Sequence, residues 1–293
     1  MTFRAGFVNI IGNPNVGKST LLNALIGEKL SIVTSKAQTT RHRILGLYNT
    51  DDYQIVFSDT PGILKPANKL HKAMLDTVDM ALTDADVILY VTDCFESIDK
   101  NKDYLEQIGK QQTPVIVVIN KKDISSEEQI LNRIQELRTF FPESDFFIVS
   151  ALKGKYIADL MAKIKEHIPV HPPYYDQDDL TDRDMRFIIS EMVREKIFLF
   201  YKQEIPYSVE IEVESYIEEP TIDRVSVVIH VTRDSQKSIL IGKNGLALKK
   251  VGTAARLDAE RFLQKKVFMQ IFVKVSDDWK DNENQLKRFG YIH

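Results

Sequence analysis

The sequence of 293 residues is poor in cysteine, in net charge and in long hydrophobic runs. Its single cysteine, Cys94, cannot form a disulfide within the chain, so nothing demands an oxidising compartment. The first apolar run, Phe7–Ile11, is too short for the hydrophobic part of a signal peptide and for a membrane span. We therefore expect a cytoplasmic protein.

The formal net charge is only −3, from 39 Lys and Arg against 42 Asp and Glu. Taken alone, this balance argues against a nucleic-acid partner. Hydrophobic residues make up 43% and charged residues 28%, which excludes a disordered chain, a collagen and a membrane bundle. The length exceeds what a single hydrophobic core usually serves and favours two domains.

Short apolar runs alternate with helical patterns as far as about residue 166, which predicts an α/β fold with a mostly parallel sheet. The expected strands are Phe7–Ile11, Ile44–Tyr48, Gln54–Ser58, Val87–Thr92, Val115–Asn120 and Phe146–Val149. The expected helices cover 18–26, 68–82, 101–111, 127–140 and 155–167. A stretch rich in proline and aspartate follows. We expect a first domain at 1–170, a linker at 171–182 and a second domain at 183–293.

The second domain has another order of elements. A helical pattern over 182–203 precedes a strictly alternating strand, Val209–Glu214, and a second strand, Arg224–Val231. A short helix at Gln236–Ile241, a longer amphipathic helix and a strand at Val267–Val275 complete it. This order of helix, strand, strand, helix, helix and strand predicts an α+β fold.

The segment from Gly12 to Ser19 reads G-N-P-N-V-G-K-S and fits the phosphate-binding P-loop pattern. It follows a predicted strand and opens a predicted helix, which is the context that the motif requires. Backbone N–H groups there point at phosphates, Lys18 reaches the β- and γ-phosphates, and the Ser19 hydroxyl holds Mg²⁺. The expected contacts are Gly12, Asn13, Pro14, Asn15, Val16, Gly17, Lys18 and Ser19.

A D-x-x-G pattern follows the predicted strand Gln54–Ser58. Alone it is a weak signal, because a turn at the end of a strand would also explain it. Its position after the P-loop gives it weight, since α/β sheets bind ligands at the carboxyl ends of their strands. We expect Asp59 to support Mg²⁺ and the Gly62 N–H to contact the γ-phosphate, in a site with Thr60, Pro61 and Ile63.

An N-K-K-D motif at 120–123 decides which base is bound. A carboxylate at Asp123 can accept hydrogen bonds from N1 and the 2-amino group of guanine, whereas adenine offers neither donor. The motif therefore predicts GTP, with Asn120 completing the base site. The stem of Lys121 can cover the ring, and Lys122 completes the motif. A charged turn after a strand is the alternative when the motif is read by itself.

A short polar motif, Ser150, Ala151 and Leu152, follows the last strand of the first domain. Its Ala151 N–H is a candidate contact to guanine O6. The alternative is a plain turn in which Ser150 caps a helix. The four motifs in this order resemble the translation-factor-like GTPases. In that pattern Thr40 binds Mg²⁺ when GTP is present, and the adjacent Thr39 is easily confused with it.

Many small GTPases carry glutamine after the D-x-x-G glycine to orient the attacking water. Here Ile63 stands at that position, so we expect slow hydrolysis or help from another group. Asn15 is the candidate, because its amide oxygen can coordinate a monovalent cation beside the phosphates. The sequence resembles the potassium-activated branch of GTPases in this respect; the alternative is that Asn15 only shapes the loop. The expected catalytic residues are Lys18, Thr40, Gly62 and Asn15.

A G-x-x-G loop at 242–245 joins the two predicted helices of the second domain. Alone it is weak, but the surrounding order of elements resembles the bacterial, type II form of the KH domain. There the loop clamps about four nucleotides of a single strand. The expected RNA contacts are Ile241, Gly242, Lys243, Asn244, Gly245, Lys249 and Lys250. A solvated amphipathic helix beside a charged edge is the alternative.

The charge of the second domain is unevenly distributed. Residues 237–274 hold nine basic and two acidic residues, a net charge of +7, whereas residues 204–223 hold seven acidic residues and no basic one. The whole-chain value of −3 therefore hides a local basic segment. We expect the basic face and the neighbouring acidic strand to orient an RNA backbone.

Over essentially its whole length the chain resembles the Era-like GTPase family of the TrmE–Era branch. Besides the motifs above, the resemblance includes Q-T-T-R at 38–41, Lys65-Pro66, and a tail with Trp279, Leu286, Gly290 and Tyr291. It implies a P-loop GTPase domain with a mostly parallel sheet, followed by a type II KH domain, with Mg²⁺ and K⁺ as candidate cofactors. It implies GTP and GDP, the 3′ region of small-subunit rRNA and the 30S subunit as partners, in subunit assembly.

The same resemblance implies a monomer with peripheral association at the inner face of the cell membrane, for which we see no anchor in the sequence. Two other functions stay open. One is a GTPase for tRNA modification or membrane signalling, whose second domain binds protein. The other is a guanine-nucleotide sensor whose hydrolysis is incidental, which Ile63 suggests.

Overall fold

The computed structural model describes residues 2–34 and 36–292, except for the side chain of Lys100. Met1 and His293, which the expected domain bounds include, and Ser35 lie outside the described residues. The chain divides into two compact units. The first contains residues 1–31, 40–65 and 74–182, and the second contains residues 32–39, 66–73 and 183–293. The expected bounds place residues 32–39 and 66–73 in the first domain and residues 171–182 in a linker. In this division the two short segments belong to the second unit and residues 171–182 belong to the first.

The first unit is built on a six-stranded sheet in the order β2-β3-β1-β4-β5-β6. The strands are β1 (Arg4–Ile11), β2 (Ile44–Asn49), β3 (Tyr53–Asp59), β4 (Val87–Thr92), β5 (Val115–Ile119) and β6 (Asp145–Ile148). Strand β2 pairs antiparallel with β3, and the other pairs are parallel. The mostly parallel sheet is therefore confirmed.

Five α-helices accompany these strands: α1 (Lys18–Ile26), α2 (Lys69–Thr83), α3 (Lys102–Gly109), α4 (Glu127–Arg138) and α5 (Ile157–His167). Residues of α1 and α5 share one apolar core with the sheet, and residues of α2, α3 and α4 share another. Every residue of β4 is buried, as a central parallel strand covered on both faces must be. The carboxyl ends of the parallel strands meet at one edge of the sheet, which brings their following loops together.

The expected linker, residues 171–182, packs on the edge of the first unit. The backbone N–H groups of Tyr174 and Tyr175 donate to Oε1 of Gln54 at 2.6 and 3.0 Å. The Leu180 carbonyl accepts from the N–H of Leu47 at 3.0 Å. The proline-rich composition predicts irregular structure correctly, but these hydrogen bonds make the segment part of the first unit and not a free connection.

The second unit has a three-stranded sheet in the order β7-β8-β9, antiparallel between β7 and β8 and parallel between β8 and β9. Its elements are α6 (Met185–Phe200), α7 (Ile205–Ser208), β7 (Glu210–Glu218), β8 (Ile222–Val231), α8 (Asp234–Ile241), α9 (Leu246–Leu263), β9 (Lys266–Val275) and α10 (Glu283–Arg288). The order of the main elements is as expected. The helix predicted over 182–203 is longer than the observed α6. Asp184 caps the start of α6, and the helix ends at Phe200, before α7 begins at Ile205.

The tail after β9 is part of the second unit. Trp279 is fully buried, and its indole N–H donates to the Ser208 carbonyl at 3.1 Å. Tyr291 Oη donates to Glu210 Oε2 at 2.6 Å, and Arg288 Nη2 lies 2.7 Å from Glu212 Oε2. Arg288 thus forms an ion pair with Glu212 and Tyr291 hydrogen-bonds Glu210, so two acidic side chains of β7 have partners within the second unit.

Candidate functional site

The P-loop of the first unit has a backbone that only glycine fits at two positions. Gly12 has φ +155° and a Cβ there would lie 2.1 Å from the Val91 carbonyl oxygen. Gly17 has φ +99° and a Cβ there would lie 2.3 Å from Asn120 Nδ2. Both contacts are far too short for carbon. The loop therefore wraps closely, with α1 starting directly after it and its N–H groups turned to the loop.

The Lys18 ammonium lies inside this loop. Its side chain is buried, and Nζ donates to the carbonyl oxygens of Gly12 and Asn13, each at 3.0 Å. Burial lowers the pKa of Lys18 to about 8, and the attraction of Asp59 and Glu96 opposes this effect. A buried cation whose Nζ is bonded to carbonyl oxygens is suited to a phosphate ligand, because a phosphate would bring negative charge close to it.

Ser19, Thr40 and Asp59 meet, as the expected metal site requires. Ser19 Oγ lies 2.8 Å from Thr40 Oγ1, and both hydroxyls donate to Asp59 Oδ2, at 2.7 and 3.1 Å. Burial raises the pKa of Asp59, whereas Lys18 and the hydroxyl hydrogen bonds oppose the rise. Asp59 Oδ1 is buried and has no hydrogen-bond partner among residues 2–34 and 36–292. Hard oxygen donors with one unsatisfied carboxylate oxygen fit Mg²⁺ shared with phosphates.

The D-x-x-G segment packs directly on the P-loop. A Cβ on Gly62 would lie 2.7 Å from Pro14 Cγ, and the N–H of Ile63 donates to the Gly12 carbonyl at 3.2 Å. Thr60 Oγ1 donates to the Ile10 carbonyl at 2.8 Å. Ile63 is buried in the apolar core beneath the sheet edge, so it has a packing role. Asn15 is exposed at φ +67°, at the outer turn of the P-loop.

The base motifs are joined through Asn120. Its Nδ2 donates to the Val16 carbonyl at 2.9 Å and its Oδ1 accepts from the Ala151 N–H at 3.0 Å. Ser150 Oγ donates to Asp123 Oδ1 at 2.5 Å, which leaves Oδ2 of that carboxylate for another donor. The P-loop, the N-K-K-D motif and the segment at 150–152 therefore lie together, joined by the side chain of Asn120.

Two outer residues of the base motifs are at the rim. Leu152 is 71% exposed, so the structure gives it no packing role in the pocket. Lys122 Nζ lies 4.3 Å from the centre of the Tyr156 ring, a cation–π contact at the surface. Tyr156 itself has φ +62°, which is uncommon for a bulky residue.

The second unit has an open groove of about 340 Å³ beside the G-x-x-G loop. Its lining includes two residues expected from the loop and helix, Gly245 and Lys249, together with others that sequence reasoning missed: Leu248, Gly252, Thr253, Arg256, Met269 and Ile271. A Cβ on Gly252 would lie 3.2 Å from Ile271 Cδ1. The absence of a side chain at Gly252 therefore leaves room in the groove. A glycine in the middle of a helical pattern was the available signal for this residue.

The other expected RNA residues lie at the end of α8, in the loop and in the first turns of α9, and they differ in their exposure. Lys243, Asn244, Lys249 and Lys250 are exposed, and Ile241 and Gly242 are half-buried. Gly242 has φ +68° and a Cβ there would lie 2.6 Å from Ala247 Cβ, so only glycine allows this tight turn. Lys250 Nζ lies 4.3 Å from the centre of the Phe200 ring. Exposed amines beside an apolar groove suit a phosphate backbone with stacked bases.

Comparison with known proteins accounts for both units. A sequence model described as 50S ribosome-binding GTPase matches residues 7–121, and a KH domain model matches residues 204–280. The GTPase Era of Geotalea uraniireducens is 44% identical over 292 residues, which cover 99% of this chain and 98% of that protein. The chain belongs to the Era GTPase family.

Other Era proteins support this assignment. The chloroplastic GTPase ERA-like protein of rice is 44% identical, over 98% of this chain and 69% of that protein. A crystal structure of Era with MgGDPNP and nucleotides 1506–1542 of 16S ribosomal RNA matches at a TM-score of 0.94 and 37% identity, covering 99% of this chain and 100% of that one. A point variant of Aquifex aeolicus Era bound to GDP·AlF₄⁻ gives the same TM-score, identity and coverages.

Membership of the Era family confirms the principal predictions. The P-loop GTPase domain followed by a type II KH domain, GTP hydrolysis as the activity and RNA binding by the second domain are those of the family. Mg²⁺ is the cofactor that the related Era complex contains. None of the helices within residues 2–34 and 36–292 is both long and apolar enough to cross a membrane.

Proposed function

We propose that the protein binds GTP and GDP at the edge of the first sheet and uses GTP hydrolysis to time its binding to the 3′ region of small-subunit rRNA. Through this binding it assists assembly of the 30S subunit. The observation that carries the proposal is the side chain of Asn120, which joins the phosphate loop to the base motifs in a chain that also has a KH groove. The related Era complex with a GTP analogue and 16S rRNA supports it.

In the proposed nucleotide site Lys18 neutralises the β- and γ-phosphates, and the Gly62 N–H meets the γ-phosphate. Mg²⁺, when bound, would be held by Ser19, Thr40 and Asp59 and would neutralise developing charge between the phosphates. Ser150 orients Asp123, whose second oxygen is left to read guanine. A base without these donors would leave the carboxylate unpaired, which is the source of selectivity.

K⁺ is the proposed second cofactor. Asn15 sits in the left-handed region at the exposed turn of the P-loop, a position from which a side-chain oxygen can share a cation with phosphate oxygens. Ile63 is buried in apolar core and cannot orient water by hydrogen bonding. A bound monovalent cation would supply the positive charge that other GTPases take from an arginine.

A short segment before Thr40 supports control by nucleotide state. Residues 32–39 belong to the second unit, where Lys36 Nζ donates to the carbonyl oxygens of Phe198 and Tyr201 at the end of α6. The last turn of α6 has no basic residue of its own, so Lys36 satisfies carbonyls that the helix leaves unpaired. Ordering of Thr40 by Mg²⁺ and GTP would therefore act on a segment that is bonded into the KH unit.

Binding to an RNA oligonucleotide that corresponds to nucleotides 1506–1542 of 16S rRNA tests the proposal. The protein should bind it more tightly with a GTP analogue than with GDP. Gly245→Asp should weaken binding by about tenfold or more, because it places negative charge beside the RNA backbone at a position with open space for a Cβ. Gly242→Asp should weaken it at least as much, since it adds the same charge and also disturbs the turn against Ala247. Gly27→Asp, at an open glycine in the first unit with φ +87°, is the matched control.

The alternatives give other results in the same assay. No RNA binding even at low salt would favour a second domain that binds protein. Equal RNA affinity in the GTP and GDP states, with no effect of RNA on hydrolysis, would contradict timing and favour a nucleotide sensor.

Family resemblance also supports a monomer with peripheral association at the inner face of the membrane. Analytical ultracentrifugation tests the first statement, and flotation with vesicles of neutral or anionic lipid tests the second. A dimer at micromolar concentration, or the absence of protein from the floated vesicles, would contradict the corresponding statement.

A further inference from the structure

A buried carboxylate lies beside the base motif, outside the residues assigned so far. Asp93 follows β4 directly, and Lys121 comes two residues after the end of β5. The two strands are parallel neighbours in which Thr92 pairs with Ile119, so both residues emerge at the same sheet edge. Asp93 Oδ2 lies 2.6 Å from Lys121 Nζ, and the Asp93 side chain is only 5% exposed.

Both carboxylate oxygens of Asp93 have partners. Its Oδ1 accepts from the backbone N–H groups of Phe95 and Glu96, at 2.8 and 2.9 Å. Its Oδ2 is thereby turned to the lysine. Since a buried charge is costly without a partner, Asp93 holds the Lys121 ammonium in one place, and the ammonium stabilises the carboxylate.

The backbone of Lys121 points to the same conclusion. Its φ of +63° is in the left-handed region, which costs a non-glycine residue on the order of 1–3 kcal/mol and persists only where the surroundings fix it. The preceding residue is Asn120, which joins the P-loop to the segment at 150–152. Lys121 is therefore fixed at both its backbone and its ammonium, with a half-buried stem between them at the base site.

The loop that Asp93 begins also reaches the phosphate loop. Asn101 Nδ2 donates to Asn13 Oδ1, and Arg133 Nη2 donates to the Glu96 carbonyl at 2.5 Å. Thr92 Oγ1 also donates to Glu96 Oε1. Burial raises the pKa of the Glu96 carboxyl, and hydrogen bonds from Thr92 and Asn13 oppose this rise. The segment 93–101 thus has fixed contacts at the base motif and at the P-loop.

We propose that Asp93 is a positioning residue for guanine-nucleotide binding, which holds the Lys121 stem against the base and ties it to the phosphate loop. The inference rests on the proposed base site, and it adds a residue from a loop that carries none of the four nucleotide motifs. Asp93 acts through Lys121 and touches no reacting atom. Its effect should therefore appear in nucleotide affinity much more than in the rate at saturation.

Nucleotide affinity and turnover of the full chain test this role. Asp93→Asn keeps the shape and the Oδ1 acceptor but removes the charge, so Kd for GDP and GTP should rise by about 10- to 100-fold. The rate at saturating GTP should change by less than about threefold. Asp99→Asn removes the same charge at an exposed position of the same segment and is the control. Asp93→Glu should recover part of the affinity.

A double-mutant cycle separates positioning from a purely structural role. In a Lys121→Met background, Asp93→Asn should add less than about a threefold loss, because the partner through which it acts is already gone. The same loss in both backgrounds would overturn the inference, as would no loss with Asp93→Asn alone. If Lys121→Met itself leaves GDP affinity intact, the Lys121 stem does not hold the base and this inference fails, whereas the proposed roles of Asn120 and Asp123 in the base site are unaffected.

Discussion

Asn120 Nδ2 donates a hydrogen bond to the Val16 carbonyl oxygen at 2.9 Å, across 104 positions of the sequence. The same side chain accepts from Ala151, 31 positions further on. The phosphate loop and the base site therefore share one amide. A change that displaces Asn120 should disturb both, and this coupling can be tested from the P-loop side.

Gly17→Ala should reduce GDP affinity on the order of 100-fold or more, because the new Cβ would lie 2.3 Å from Asn120 Nδ2. Gly27→Ala is the control, since Gly27 has a similar φ of +87° but no atom within 4 Å of its Cβ position. Both variants should lose about 1 kcal/mol of stability from backbone strain, but only the first should lose GDP. Titration with a fluorescent GDP measures this, and equal affinities of the two variants would contradict it.

Lys18→Met should abolish GTP hydrolysis and yet stabilise the nucleotide-free protein at pH 7. Burial lowers the folded pKa of Lys18 to about 8 from an ordinary value of 10.5. The folded state therefore releases its proton at lower pH than the unfolded state, and wild-type stability should rise between pH 8 and 10.5. The advantage of Lys18→Met, at most about 3 kcal/mol at pH 7, should shrink over that window.

Unfolding by urea at several pH values measures this difference. An advantage of Lys18→Met that is constant from pH 7 to pH 10.5 would show that the lysine is not destabilised by burial. GDP at saturation should reverse the order at pH 7, since the wild-type loop alone gains the phosphate contact.

Asn15→Ala should remove a roughly tenfold or larger acceleration of GTP hydrolysis by K⁺ over Na⁺. Asn15→Asp, which keeps an oxygen at the same turn, should retain part of it. Hydrolysis rates at saturating GTP and Mg²⁺ in matched KCl and NaCl buffers provide the measurement. Equal wild-type rates in the two salts would rule out the potassium proposal.

The two glycines of the G-x-x-G loop should differ in their tolerance of alanine. Gly242 has φ +68° and ψ −179°, a conformation open essentially to glycine alone, and its Cβ position is 2.6 Å from Ala247 Cβ. Gly245 has φ +75° and ψ 5° with open space around it. Gly242→Ala should therefore cost about 2–4 kcal/mol of unfolding free energy and Gly245→Ala about 1 kcal/mol. Urea unfolding of the two variants measures these free energies. A larger loss for Gly245→Ala than for Gly242→Ala would contradict the prediction.

Most of the nucleotide site could be predicted from the sequence because its motifs are runs of adjacent residues with fixed chemical tasks. The order of strand, P-loop and helix places Lys18 and Ser19 without knowledge of the rest of the chain. Asp59 and Asn120 each stand at the end of a predicted strand, and parallel strands bring their carboxyl ends to one edge of the sheet. The glycine loop at 242–245 is likewise a run of adjacent residues.

Contacts between distant residues could not be predicted so directly. Composition indicates an irregular conformation for residues 171–182, but it does not indicate the hydrogen bonds that the Tyr174 and Tyr175 N–H groups donate to Gln54, which add the segment to the first unit. The alternating charges of β7 indicated an exposed acidic face, whereas Arg288 and Tyr291 bind two of its carboxylates. The sequence around Gly252 does not indicate that Ile271 lies against it.

The expectation of a magnesium-bound guanine nucleotide follows from the sequence, because Lys18, Asp59 and Asp123 are the charges and acceptors that such a ligand requires. How those residues are held follows from the fold. Asp93 and Lys121 are paired because β4 and β5 are neighbours in the sheet, and Asn120 meets Val16 because Gly17 leaves the space. The chemistry of the site comes from short runs of adjacent residues. The positions of those residues depend on the packing of strands that are far apart in the chain.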